Sequence, residues 1–203
     1  MGVLTSGHAI LCEDRNRRGG IKNIWLGEVA NVSGTTPHAT NHEYTGIAGL
    51  TGSSGTNYNV WQFQFDRETA YFTANATREN GSTIVECEVG FNIPKITKAV
   101  NLRLEELKET CGLFAIVETF ADTGAGSPPP TYKFVIGYDE VFSPDAFLEF
   151  SSGEQSSGTG LQDPNETVVK LKGFMAEYPR EYSGTIALDS NGTIAAALGY
   201  TLT

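Results

Sequence analysis

Two glutamates, Glu86 and Glu88, stand two residues apart in the run Val85-Glu-Cys-Glu-Val89. On a strand they share a face at about 7 Å, a separation open to a pair of glycosidase carboxylates. A solvated strand face shows the same alternation without any catalysis, and that plainer reading is preferred. The histidines are His8, His38 and His42. The four-residue interval between His38 and His42 suits two metal ligands on one helix face. Their setting, Thr-Pro-His-Ala-Thr-Asn-His, is loop sequence, and no third ligand adjoins it. Cys12, Cys87 and Cys111 are odd in number, far apart and lack CxxC spacing, which argues against a zinc site or a disulfide framework. Arg15, Arg17 and Arg18 make the one dense basic cluster. It reads either as a solvated arm or as a docking arm for an acidic partner, which the acidic body of another copy would satisfy. GxSxG, Walker A, HExxH and a GxGxxG following a strand are all missing from the sequence. No catalytic residue, metal or cofactor is therefore expected, and the chain is not read as an enzyme.

The balance of residue types narrows the classes further. A net charge of −10 over 203 residues excludes wrapping nucleic acid by phosphate neutralisation. The same charge suits a conduit along which an anion slides without sticking. With 39% hydrophobic and 10% aromatic residues the chain can bury a real core, and its length suits one β domain. No apolar run approaches membrane-spanning length, so no membrane association is expected. The start, Met-Gly-Val-Leu-Thr-Ser-Gly-His, lacks the basic and apolar regions of a secretory signal. Sequons at Asn31, Asn75, Asn80, Asn165 and Asn191 are accordingly read as chance in a Thr/Ser/Asn-rich β protein.

The elements that position these residues are mostly strands. Residues 1–20 have weak periodicity and end in Glu13-Asp-Arg-Asn-Arg-Arg-Gly-Gly20, which reads as an extended arm ahead of a single domain, 21–203. Ile21 to Val32 reads as a strand with Ile24 and Leu26 on one face, and Ser33 to His42 as a polar loop. From Tyr58 to Phe65, Trp61, Phe63 and Phe65 alternate with Gln62 and Gln64, the period of a half-buried strand. A hairpin from Thr69 to Phe91 turns at Asn80-Gly81, two residues that tolerate positive φ. It sets Val85, Cys87, Val89 and Phe91 against Glu86 and Glu88. A helix from Asn101 to Cys111 would bury the stripe Val100, Leu104, Leu107 and Cys111, capped by Asn101 and closed by Gly112. Leu113 to Phe120 and Tyr132 to Tyr138 read as paired strands, the latter with Tyr132, Phe134, Ile136 and Tyr138 on one face. Asp122 to Pro130 and Ser151 to Pro164 read as polar excursions. Thr167 to Glu177 is a strand, and a last hairpin turns at Asn191-Gly192 between Ile186 and Leu198. The fold class is mainly β (α+β), a sandwich or barrel-forming sheet flanked by one helix.

An arm ending Gly-Gly-Ile-Lys, then Ile-Trp-Leu, is followed by Trp-Gln-Phe-Gln-Phe-Asp-Arg-Glu-Thr-Ala and Arg-Glu-Asn-Gly-Ser-Thr. A long acidic strand, an amphipathic helix, Leu113-Phe-Ala-Ile-Val and a strand ending Val-Ile-Gly-Tyr138 complete the order. This series, over roughly residues 3–180, resembles the tail tube proteins (major tail proteins) of tailed bacteriophages. The resemblance implies a virion structural protein, assembled in the host bacterial cytoplasm, whose hexameric rings stack into a tail tube. Inner strands would close into a barrel around a lumen that carries the tape measure protein and later DNA, without sequence-specific binding. Tail terminator and baseplate or hub proteins would cap the stack. Within that picture Glu86 and Glu88 are lumen-facing candidates, and Arg15, Arg17 and Arg18 belong to an inter-subunit arm. Another virion assembly protein, such as a tail terminator, a completion protein or a capsid decoration protein, is the alternative. A carbohydrate-binding domain, suggested by acidic pairs and aromatics, comes third.

Overall fold

Apolar residues on both sides of Ile21–Glu28 (β1) make it a central strand. Ile24 and Leu26 turn to one core cluster and Trp25 to another. The computed structural model describes residues 19–37, 42–49, 59–122, 131–143, 145–188 and 199–202. The arm through Arg18, and with it Arg15, Arg17 and Arg18, lies outside the described residues, as does His38. After β1, Val29–Asn31 forms a short 3-10 turn. Then follow Val32–Pro37 (β2), Glu43–Gly49 (β3), Asn59–Phe63 (β4), Tyr71–Glu79 (β5) and Ser82–Pro94 (β6). The helix Lys98–Glu109 (α1) leads to Leu113–Asp122 (β7), Thr131–Ile136 (β8), Leu148–Ser156 (β9) and Glu166–Met175 (β10). Three short strands complete the fold: Arg180–Tyr182 (β11), Ile186–Leu188 (β12) and Gly199–Leu202 (β13). The chain is thus mainly β with one helix among the described residues.

The strands form two layers. One runs β12-β13-β4-β1-β7-β8-β11-β3-β2, and the other runs β5-β6-β10-β9, joined to it at Leu113↔Leu148. Ile24, Leu26, Ala115 and Val117 from the first layer meet Val85, Cys87, Val89, Phe91, Val169 and Leu171 from the second. The opposite side of β1, β7 and β8 packs Trp25, Phe114, Ile116 and Val135 against Tyr44, Val60 and Tyr182. That second cluster forms because the long sheet curls until β13 lies near β3. Strands buried on both faces read as continuous apolar runs, and Leu113-Phe-Ala-Ile-Val is one.

The Thr69–Phe91 hairpin forms as predicted. Asn80 at φ 50 and Gly81 at φ 85 make the two-residue turn, with Glu79 opposite Ser82. Several other expectations change. Val32–Pro37 is a strand rather than a loop, because its backbone pairs β3 through bulges. The first half of the supposed 151–164 excursion belongs to β9, whose polar side chains conceal a ladder to β10. Gly137, at φ 79, reverses the backbone, so Tyr138 joins the cluster opposite that of Ile136. Leu188 pairs with Tyr200, a register that a two-residue turn at Asn191-Gly192 does not produce. Those turn residues lie outside the described ones.

The helix also shifts. Thr97, not Asn101, is the N-cap, its hydroxyl accepting from the Val100 N–H at 3.2 Å. Asn101 sits inside the helix and accepts from the Gln155 side chain at 2.7 Å. Leu107 is buried, whereas Val100 and Leu104 are half-buried. Cys111 lies beyond the helix end and is exposed, which removes it from the predicted stripe. Gly112 does take positive φ, 86°, and its carbonyl accepts from the Val29 N–H at 3.1 Å. The helix end is thereby fastened to the end of β1.

Candidate functional site

The sheet β5-β6-β10-β9 buries one face and shows the other to solvent. Register places Glu86 opposite Phe174, Glu88 opposite Lys172, and Lys172 opposite Glu149. Asn92, Val168 and Glu154 make a further cross-sheet row, with Gly90, Lys170 and Ser152 between. Alternation therefore puts both predicted glutamates on the face away from the core, as the sequence implies. With Glu149, Glu154 and Glu166 added, carboxylates outnumber the lysines Lys170 and Lys172 on this face. Its edges are open. Among the described residues β5 pairs only with β6, and β9 beyond Leu148 pairs only with β10.

Glu86 and Glu88 are not equivalent. Glu86 is exposed. The Glu88 side chain is only 20% exposed and meets the Lys172 ammonium at 2.9 Å. It also accepts from the Tyr71 hydroxyl at 2.5 Å. Those hydrogen bonds, from Tyr71 first and then Lys172, hold its carboxyl below the usual range. The same bond is the main reason the Tyr71 hydroxyl is pushed up to about 12. The Tyr71 ring lies over Gly90, where a Cβ would stand 2.5 Å from the ring, so only glycine opposite Tyr71 permits this reach. The two carboxylates thus do not form a matched acid–base pair. One is a solvated charge and the other is fixed in a cross-strand ion pair.

Three further polar clusters hold the scaffold. Glu118, 7% exposed, accepts from Lys22 at 2.9 Å, from Asn23 at 2.6 Å and from the Thr131 hydroxyl. Burial pushes its carboxyl up, but the bonds from Thr131, Asn23 and Lys22 outweigh it and the net direction is down. Asp139, fully buried, accepts from the Phe142 N–H at 2.6 Å and the Ala176 N–H at 2.7 Å. It ties the β8–β9 connection to the end of β10. Arg180 donates twice to Glu177, at 2.5 and 3.1 Å, and stacks over the Tyr44 ring at 5.0 Å. Each cluster bridges segments distant in sequence.

A groove of about 950 Å³ lies between α1 and the β1–β4 pair. Apolar Leu26, Phe63, Val100, Leu107 and Leu113 line it together with the charged Glu28, Arg103, Glu106 and Glu109 and with Cys111. The sequence hinted at it only through Trp61 and Phe63, whose apolar side continues past what the core requires. Trp61 remains 41% exposed.

Of the predicted site residues, Glu86 and Glu88 share a face, and Val100, Leu107 and Cys111 share the groove. Leu104 packs instead against the inter-sheet core. His42 Nε2 lies 2.8 Å from the Tyr178 carbonyl. No group of three or more His, Cys, Asp or Glu side chains arranged to hold a metal occurs among the described residues. No helix there is long and apolar enough to cross a membrane. Comparison with protein-family profiles, with characterised proteins and with solved structures finds no match to this chain.

Proposed function

We propose that this chain is a virion structural protein that assembles into stacked rings, forming the tail tube through which the tape measure protein and then DNA pass. The observation that carries this reading is the sheet β5-β6-β10-β9. Its edges are unpaired among the described residues, and its outer face carries more carboxylates than lysines, with Phe174, Ile84 and Tyr71 also exposed on it. An open edge of β5's nine residues invites another strand. Pairing β5 of one copy with β9 of the next, repeated round a ring, removes both edges and closes a barrel. This carboxylate-rich face would then line the lumen. Phosphates meet net negative charge there and are not retained, which favours passage over binding. The terminator, the hub and the virion location follow from the same reading.

Negative-stain electron microscopy of the purified full chain tests this directly. Rings or tubes with a central channel are the expected result. Isolated particles of single-chain size, across a range of salt and protein concentration, would remove the tube reading.

A further inference from the structure

The two open edges of the sheet β5-β6-β10-β9 are not level with each other. Tyr71 of β5 stands opposite Gly90, Gly90 opposite Lys170, and Lys170 opposite Ser152 of β9. From that row β5 continues one way to Glu79, whereas β9 continues the other way to Ser156. The longer sheet also ends in two edges, but both are guarded. β12 has three residues, and β2 shifts register twice and ends in Pro37, devices that keep an edge from pairing. β5 holds an unbroken register of nine residues against β6 and carries neither proline nor lysine. Its free side is therefore built to receive a strand.

Successive strands of this sheet are antiparallel, so β5 and β9 run in opposite directions. Rotation about a ring axis keeps those directions, and β5 of one copy beside β9 of the next is again antiparallel. Side chains alternate, so outward residues must meet outward residues. These are Tyr71, Thr73 and Asn75 on β5, and Ser152, Glu154 and Ser156 on β9. Setting the start of β5 against the end of β9 pairs Tyr71 with Ser156, Thr73 with Glu154 and Asn75 with Ser152. Two residues further, Glu79 would face Glu149, a like-charged pair. Two residues back, Gln155 and Ser156 would lie beyond the start of β5. In the fitting register Asn75 of one copy is level with Tyr71 of its neighbour, a step of four residues. That is about 13 Å along the strands for about 19 Å across four of them. Levelling the copies round a ring then tilts the strands about 35° from its axis, the tilt of closed barrels.

The sense of the step decides which face is inside. The hairpin closes on Glu79 and Ser82, so the outward residues of β5 direct their N–H and C=O toward β6. For L-residues, a strand running up with such side chains toward the viewer has those groups on its right. Seen from the carboxylate face, β6, β10, β9 and the next copy thus follow to the right of β5, and each copy steps down. Strands of the levelled ring lean left in that view and right in the view from behind. Right-handed strand twist makes strands rise to the right seen from outside a barrel. We propose that residues 71–75 of one copy pair with 152–156 of the next, Thr73 opposite Glu154, and that this stagger turns Glu86, Glu88 and Phe174 to the inside of the closed barrel. The hairpin tip beyond Thr77 stays free of β9. The inference rests on the tube reading for the closure of the ring, and adds to it the register, the tilt and the face.

Disulfide trapping in the full chain tests the register. Cys12→Ser and Cys111→Ser leave only the buried Cys87 as background. Thr73 and Glu154 would form a non-hydrogen-bonded antiparallel pair, about 4.5 Å apart at Cα and within disulfide range. Thr73→Cys with Glu154→Cys should give, on oxidation, a ladder of covalent multimers that reduction removes. A mixture of the two single variants should give dimers and nothing larger. Thr73→Cys with Ser152→Cys, or with Ser156→Cys, is out of register and should not link. All of these positions are exposed, so folding tolerates the changes. The face is tested by Glu86→Cys, which should react with a bulky maleimide polymer in free subunits and be protected in tubes. A ladder from either shifted pair, linkage within one chain, or full labelling of Glu86→Cys in tubes would overturn the assignment. Micrographs of the same samples separate the two ideas. Tubes without linkage between positions 73 and 154 keep the tube and remove the register, whereas linkage in rings that never stack keeps the register and removes the tube. Neither linkage nor assembly removes both.

Discussion

Glu88→Lys and Glu86→Lys make the same charge change two residues apart on one strand, yet the structure assigns them different costs. Glu88 loses the Tyr71 hydroxyl bond and the Lys172 pair, and the new lysine faces Lys172 directly across the ladder. A cross-strand pair contributes a few tenths to 1 kcal/mol, and a like-charged pair reverses the sign. The bond to a charged acceptor adds a comparable amount, all reduced by solvent screening at a partly open site. The total for Glu88→Lys is about 1–2 kcal/mol, whereas exposed Glu86→Lys should stay within about 0.5 kcal/mol of the parent. With a slope of about 2–3 kcal/mol per molar urea, the first shifts the unfolding midpoint by ~0.5 M and the second hardly at all. The carboxyl of Glu88 is held below its ordinary value of 4.5 in the folded state. Its stabilisation is therefore present above that value and fades as the pH falls through the lower folded one. The deficit of Glu88→Gln should accordingly shrink in acid. Equal midpoints for the two lysine variants at neutral pH would refute the ion-pair reasoning. Glu86→Lys is then the sound probe of the proposed lumen, since it changes the wall charge without unfolding the wall. Slower genome ejection from particles carrying it is the expected result.

Leu107→Ala should cost about 2–4 kcal/mol in urea titration and half-buried Leu104→Ala about 1–2, while Cys111→Ser should be silent. A Cys111→Ser loss as large as that of Leu107→Ala would return Cys111 to the core. Glu118→Gln should lower stability by about 2 kcal/mol at pH 7, as Lys22, Asn23 and Thr131 lose a charged acceptor. Because the folded carboxyl lies below its unfolded value, this deficit should vanish as the pH drops through the folded value. A deficit unchanged at pH 3 counts against the assignment. Asp139→Asn presents an amide where a backbone N–H needs an acceptor and should cost about 2 kcal/mol. Hydrogen exchange should show the Phe142 and Ala176 amides losing protection first, and uniform loss would contradict the keystone role.

The sequence by itself determined whatever depends on neighbours within a few residues. Alternation at Val85, Cys87 and Val89 dictates which way Glu86 and Glu88 point, and Asn80-Gly81 fixes the hairpin register. These are consequences of side-chain period and local φ, so no other part of the chain is needed to read them. The helix was legible in existence but not in extent. Its periodicity persists past Thr110, whereas the actual end is set where Gly112 bonds to Val29 of another segment. Strands β2 and β9 were hidden because Gly, Ser and Thr resemble loop residues until a partner ladder satisfies their backbone. Tertiary structure alone decided that Glu88 is paired and Glu86 free, since that turns on which residue of β10 lies beside each. It alone set the open edges of β5 and β9 out of level, because an offset between strands exists only once the ladders joining them have formed.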